Sequence, residues 1–221
     1  IASTVNLADP ALPRFVYFPL PFEPERTSLP DGGDFFEAVD ALMALRAYLP
    51  ADVHILVKEH PTQFSRTLPG YKARSSLMYR VLSRLHNTTL VDLSVPSSAL
   101  IERAEFTCVI TGTAALESAL VGGLGVTFGT PWFAGLPGIT QFEALPPFDE
   151  FVSGPRFTVD HIVESAKSLI HRCAFPGIIS VEQETYFRHK FGEQIDTLVV
   201  DSETVQTIAT AISNDLSRHG K

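Results

Sequence analysis

Positive charge is sparse in this 221-residue chain. Seventeen Lys and Arg stand against 25 Asp and Glu, giving a formal net charge of −8, and the basic residues form no run. Binding to a nucleic-acid backbone needs concentrated positive charge, so a nucleic-acid partner is disfavoured. A local anion pocket of a few groups is not, because net charge says nothing about one site. Cysteine is limited to Cys108 and Cys173, far apart in sequence. Cys108 lies inside an apolar run, where a thiol packs as a small hydrophobe, and both are expected free, in a reducing compartment. No apolar run approaches the about 18 residues that a membrane helix needs, and the first residues carry no secretory-signal pattern. There is no Asp-x-Asp motif and no His/Cys cluster at metal-ligand spacing, so no catalytic metal and no cofactor are expected. Internal repeats and low-complexity segments are absent as well.

What the chain does contain is 45% hydrophobic and 19% charged residues, enough for one sizeable core. Short apolar runs alternate with amphipathic stretches. Strands are expected at Phe15–Phe18, Val53–Val57, Thr89–Val91, Phe106–Ile110 and Gly125–Phe128. Helices are expected over 34–48, with Phe35, Val39, Leu42 and Met43 at helical spacing, and over Tyr71–Leu85, Ser97–Arg103 and Ala114–Val121. Strand and helix alternation at this spacing predicts a doubly wound, Rossmann-like α/β fold with a parallel sheet of about five strands, covered on both faces. The rest reads as helical. Val159, Ile162, Val163, Ala166, Leu169 and Ile170 form one stripe behind Thr158 as N-cap. A second stripe runs from Val205 to Leu216, and a shorter helix is expected over 181–191.

Four segments directly follow strands, which is where ligands bind in such sheets. Lys58-Glu59-His60-Pro61 follows the second strand; Pro61 holds His60 extended, and the imidazole N–H can donate to a phosphate. The alternative is a turn histidine with no ligand. Thr111-Gly112-Thr113 follows the fourth strand and opens a helix. This turn is neither a Gly-x-Gly-x-x-Gly nor a Walker sequence, but its hydroxyls and helix-start N–H groups can receive an anion. Equally, it reads as a tight β-α turn with a Thr N-cap. Glu117, one turn on, faces the same cleft for sugar or ribose hydroxyls, or is a cap or a solvated carboxylate. In Phe18-Pro19-Leu20-Pro21-Phe22-Glu23-Pro24-Glu25, prolines stiffen a loop that would hold Glu23 as a candidate catalytic carboxylate, or the loop is structural. Phe128-Gly129-Thr130-Pro131-Trp132 carries the single Trp; Gly129 and Trp132 flank a base or sugar, or the aromatics pack an inter-domain surface.

Taken in order, FPLPFEPE, KEHP and TGTAALESALVGGLGVTFGTPWFAGLPG resemble the capsule polysaccharide biosynthesis family, which includes Kdo transferases. The resemblance covers about residues 15–142. It implies one half of a GT-B glycosyltransferase, with a nucleotide sugar held by this domain and transferred to a glycan or glycolipid acceptor, and CMP-Kdo as one such donor. By the same resemblance His60 and Pro61 match the family's His-Pro motif at the nucleotide phosphate. Thr111, Gly112 and Thr113 match the phosphate turn, and Glu117 the acidic residue of the following helix. Glu23-Pro24 stands where many members carry Gln-Pro, a departure that leaves the role of position 23 open. Residues 1–221 are then a single nucleotide-sugar-binding domain, with a sheet core over about 15–145 and C-terminal helices over 155–221. The first residue is Ile rather than Met, so an acceptor-binding N-terminal domain of the same protein is expected before it, and the fragment alone is expected to be inactive. A cytoplasmic location is expected, with room for peripheral association with the membrane assembly machinery. Two other readings share the architecture: a sugar-nucleotide 2-epimerase-like enzyme, and a non-catalytic docking module.

Overall fold

The structure, a computed structural model, describes residues 3–23, 30–65 and 69–173. The chain divides into two compact units, Ile1–Ala166 and Lys167–Lys221. The first holds the sheet. The helices expected over 181–191 and Val205–Leu216 lie outside the described residues.

Six strands, all parallel, make one sheet: β1 (Phe15–Pro19), β2 (His54–Lys58), β3 (Thr88–Val91), β4 (Thr107–Val109), β5 (Gly125–Thr127) and β6 (Ile139–Gln141). Their order is β3-β2-β1-β4-β5-β6. Among the described residues six α-helices accompany them, α1 (Ala38–Tyr48), α2 (Ser76–Leu82), α3 (Ser97–Arg103), α4 (Ala114–Leu120), α5 (Phe148–Val152) and α6 (Val159–Cys173), with 3-10 turns at Gly33–Phe35, Pro69–Lys72 and Phe142–Ala144.

The alternation of strand side chains explains the layering. Val16 and Phe18 of β1 enter one core with Ile55, Val57, Cys108, Val126 and the α1 and α5 side chains, whereas Phe15 and Tyr17 enter a second core with Leu56, Val91, Leu100 and Ile101 on the α3 side. A sheet buried on both faces needs near-continuous apolar strands, which is what FVYF and HILV supply. Cys108 is free and buried, and burial pushes its thiol pKa up. The side chain of Cys173 lies outside the described residues.

Three details differ from the sequence expectation. The helix expected over 34–48 begins at Ala38 and turns Ala38, Ala41, Leu42 and Leu45 inward, the i, i+3, i+4, i+7 face. Met43 lies on the far side, 52% exposed, and Phe35 belongs to the 3-10 turn. The helix expected over Tyr71–Leu85 is confined to Ser76–Leu82, where Ser75 Oγ accepts from the Leu77 N–H at 3.1 Å and sets the start. Strand β6 extends the sheet beyond β5. Only three residues long and partly exposed, it offers no alternation to read. At α6 the expected cap is present, with Thr158 Oγ1 accepting from the His161 N–H at 3.3 Å, and Ile162 is buried. Among the described residues, no helix is long and apolar enough to cross a membrane.

Candidate functional site

Strand order reverses between β1 and β4: the chain moves outward from β1 through β2 to β3, then returns to the other side of β1. The carboxyl ends of β1, β2 and β4 therefore splay apart around a crevice. A cleft of about 400 Å³ lies there. It is lined by Tyr17 and Pro19–Phe22 from β1 and its loop, Glu59–Pro61 beyond β2, Ser97 at the start of α3, and Val109–Ala114 with Glu117 from β4 and α4. His60, Pro61, Thr111, Gly112, Thr113 and Glu117 thus line one space, though about 50 residues of chain separate the first two from the rest. A larger cavity, about 650 Å³, lies along β3 and α2. It gathers mostly apolar and hydroxyl groups away from the switch point, so volume does not select the site.

His60 is held by its own turn. The Thr62 N–H donates to Nδ1 at 3.3 Å and the Thr62 hydroxyl lies 2.8 Å from the same nitrogen. A nitrogen that accepts a backbone N–H carries no proton in the neutral ring, so the proton sits on Nε2, which is left to donate. The neighbouring Phe22 ring packs on the imidazole in an edge-to-face arrangement with centroids 5.7 Å apart.

The turn after β4 differs from a Thr-capped helix start. Thr113 has helical backbone angles and makes no side-chain cap bond. Its hydroxyl donates instead to Glu117 Oε1 at 2.9 Å. The hydroxyl thus orients the carboxylate one turn on, and the N–H groups at the start of α4 precede its first internal bond, Glu117 N–H to Thr113 C=O.

Four expected site residues stand elsewhere. Lys58 is 4% exposed and does not line the cleft. Its Nζ donates to the Val95 carbonyl at 2.6 Å and to Ser97 Oγ at 3.0 Å, and burial lowers its pKa. Glu23 is not among the cleft-lining residues either. Its backbone is gripped by Gln63, whose Oε1 accepts from the Glu23 N–H at 2.9 Å and whose Nε2 donates to the Glu23 carbonyl at 2.8 Å. Gly129 is buried against the Asp31-Gly32 turn; a Cβ there would lie 2.2 Å from the Asp31 carbonyl oxygen, so glycine is required by backbone contact. Trp132 is 56% exposed, edge-on to the buried Phe133, and outside the cleft.

Sequence reasoning missed the buried ion pair behind Glu59, a residue that lines the cleft. Glu59 is buried and receives Arg74 through Nε at 3.2 Å to both oxygens and Nη2 at 3.1 Å, plus a bond from the Tyr79 hydroxyl. Arg74 also donates to the Pro21 carbonyl, tying the loop after β1 to the end of β2. The Tyr79 pKa is raised, by burial first and then by its bond to Glu59. Strand alternation would have sent Lys58 and Glu59 to opposite faces, but nothing in the sequence points to Arg74 fifteen residues on. Ser97 had a usable signal: it follows β3 at a helix start, as the other site segments follow theirs. Among the described residues, no group of three or more His, Cys, Asp or Glu is placed to hold a metal ion.

Sheet order and cleft define a Rossmann-like α/β domain with polar groups converging at its switch point. The sequence profile of the family described as capsule polysaccharide biosynthesis protein matches residues 13–159, about two-thirds of the chain. The chain belongs to that family. No curated protein sequence matches it. Among solved structures it is similar to two Thermosulfurimonas dismutans KpsC chains. The beta Kdo 2,7 transferase is 17% identical, with a TM-score of 0.48, covering 70% of this chain and 45% of that one. The beta Kdo 2,4 transferase is 16% identical, with a TM-score of 0.48, covering 75% and 48%. A glycotransferase of kitacinnamycin is 15% identical, with a TM-score of 0.36, covering 71% and 39%. The chain spans less than half the length of each of these structures.

Proposed function

We propose that this domain binds the nucleotide-sugar donor of a GT-B glycosyltransferase in capsule or surface-polysaccharide biosynthesis, with CMP-Kdo one candidate donor. The observation that carries the reading is the convergence of His60, the Thr111–Thr113 turn and Glu117 on one cleft at the switch point. In this reading His60 Nε2–H and the backbone N–H groups at the start of α4 donate to the donor phosphate. Glu117, oriented by Thr113, accepts from sugar or ribose hydroxyls. As the glycosidic bond breaks, negative charge builds on the departing phosphate oxygen, and donors fixed beforehand stabilise it without reorganising. The cleft then supplies leaving-group stabilisation without a metal, while the acceptor glycan and a second Rossmann-like domain complete the reacting centre. Family membership supports the class of pathway, and a cytoplasmic location accords with a nucleotide-sugar donor.

The test is calorimetric titration of CMP-, UDP- and GDP-linked sugars into the protein. One nucleotide class should bind. His60→Ala should weaken it about ten- to a hundredfold, the loss of one charge-assisted hydrogen bond of roughly 1.5–3 kcal/mol. Absence of binding by all three classes to folded protein sinks the donor reading; wild-type affinity in folded His60→Ala protein removes His60 from it.

A further inference from the structure

The described cations include one buried side chain that no carboxylate pairs. Among the described residues, ion pairs join Arg14 to Glu105 and Asp149, and Arg74 to Glu59; none involves Lys58. Asp92 acts on Lys58 only at longer range, and its carboxylate is engaged by the Ser94 N–H and hydroxyl. Among the described residues the Lys58 ammonium is held by the Val95 carbonyl and Ser97 Oγ. A buried charge without a counter-charge is costly, which raises the question of what balances it.

Proton accounting at Ser97 points into the cleft. A serine hydroxyl has one proton and two acceptor sites, whereas an ammonium can only donate. Ser97 Oγ therefore accepts from Lys58 at 3.0 Å. The Tyr17 hydroxyl lies 3.3 Å away, on a residue only 1% exposed, and has no other acceptor among the described residues. If Tyr17 donates to Ser97, both acceptor sites of Oγ are filled. The Ser97 proton then has no acceptor among the described residues, and Ser97 lines the cleft. The chain of donors runs from Lys58 and Tyr17 to Ser97 and outward, and polarisation along such a chain makes the terminal O–H a stronger donor.

We propose that Ser97 donates to a phosphate oxygen of the ligand in this cleft, and that Lys58, acting through Ser97, supplies the counter-charge for that phosphate. Ser97 is thus a ligand-binding residue and Lys58 a positioning residue behind it. The inference rests on the reading of the cleft as a nucleotide site and adds two residues to it. It also says what the site recognises most strongly: the anionic phosphate rather than the base.

The experiment compares CMP, UDP and GDP with cytidine, uridine and guanosine by calorimetry and ligand-induced thermal shift. The proteins are wild type, Ser97→Ala, Ser97→Thr and Lys58→Met, each first checked for a cooperative melt. Expected are about a tenfold loss of nucleotide affinity in Ser97→Ala and in Lys58→Met, near-wild-type affinity in Ser97→Thr, and a double variant no weaker than about the worse single one, since the two act in series. Affinity for the uncharged nucleosides should not change. Should Ser97→Ala or Lys58→Met fail to fold, Ser97→Cys, a weaker donor, and Lys58→Gln take their places with the same expectation. Nucleotide affinity unchanged in the folded variants, or lost in step with nucleoside affinity, overturns the proposal and leaves the donor-site reading standing. A wild-type protein that binds none of the nucleotides overturns both.

Discussion

Replacing Arg74 by methionine removes the side chain that ties the loop after β1 to Glu59 at the end of β2. In the folded protein the Arg74 and Glu59 side chains are 4% and 7% exposed. Arg74→Met deletes three contacts of 3.1–3.2 Å to Glu59 and the bond to the Pro21 carbonyl, leaving a carboxylate out of water with only the Tyr79 hydroxyl. Breaking one side of a buried pair costs about 3–5 kcal/mol, mostly the desolvation of the stranded charge. For urea unfolding with a slope of about 2 kcal/mol per molar, that is a fall in midpoint of roughly 2 M. The same argument fixes the control. Glu59→Gln combined with Arg74→Met removes the stranded charge as well, so the double variant should recover most of the loss, with a coupling energy of several kcal/mol. Equilibrium urea melts on the four proteins close the cycle. A single Arg74→Met variant within about 1 kcal/mol of wild type, or a double variant as unstable as that single one, would refute the account of a buried and mutually dependent pair.

Two further outcomes follow from groups away from the cleft. The hydroxyls of Thr107 and Thr127 are buried with no hydrogen-bond partner among the described residues; Thr127→Val keeps the shape and discards the unsatisfied oxygen, so it should stabilise by about 1 kcal/mol, and a melting temperature that stays level or falls contradicts this. Tyr48 donates to the Pro146 carbonyl at 2.9 Å, and its pKa is pushed up to about 12, by burial first and by the charge of Asp149 second. A pKa raised above the unfolded value of about 10 contributes stability that is full below pH 10 and is lost as pH rises through 12. Tyr48→Phe should therefore lose less stability than wild type between pH 10 and 12, and parallel pH profiles would exclude Tyr48 from the alkaline transition.

The fold was legible because its signals are local and repeated. Apolar β-rich runs followed at regular distance by amphipathic helices permit few arrangements, and the segments Lys58–Pro61 and Thr111–Thr113 could be placed at strand ends without tertiary information. The β6 strand was not legible, because three half-covered residues after Pro137-Gly138 carry no periodicity. A stripe phased from Phe35, which lies outside α1, puts Met43 on the wrong helix face. In the site, the residues that line the cleft through strand ends were readable, and those that act through distant partners were not. Arg74 is joined to Glu59 by the fold alone. Gly129 and Trp132 sat in a suggestive segment, but one answers to the Asp31 backbone and the other to solvent.

The Lys58-Glu59-His60 run shows why a motif read as one unit divides in space. Each step along an extended chain reverses the side-chain direction. Lys58 takes the face of Leu56 and reaches Val95 and Ser97 under α3; Glu59 takes the opposite face and meets Arg74 and Tyr79 under α2; His60 has left the sheet and turns on its own Thr62. Opposite charges adjacent in sequence are therefore not each other's partners. The Glu59 carboxylate is neutralised within the protein, which makes it a fastening for the wall. The Lys58 ammonium is not, which leaves its charge to act on whatever occupies the cleft beyond Ser97. A motif whose residues are sorted in this way can keep its spacing for two unrelated reasons, packing at one position and ligand charge at the next, and only the partners at each position tell them apart.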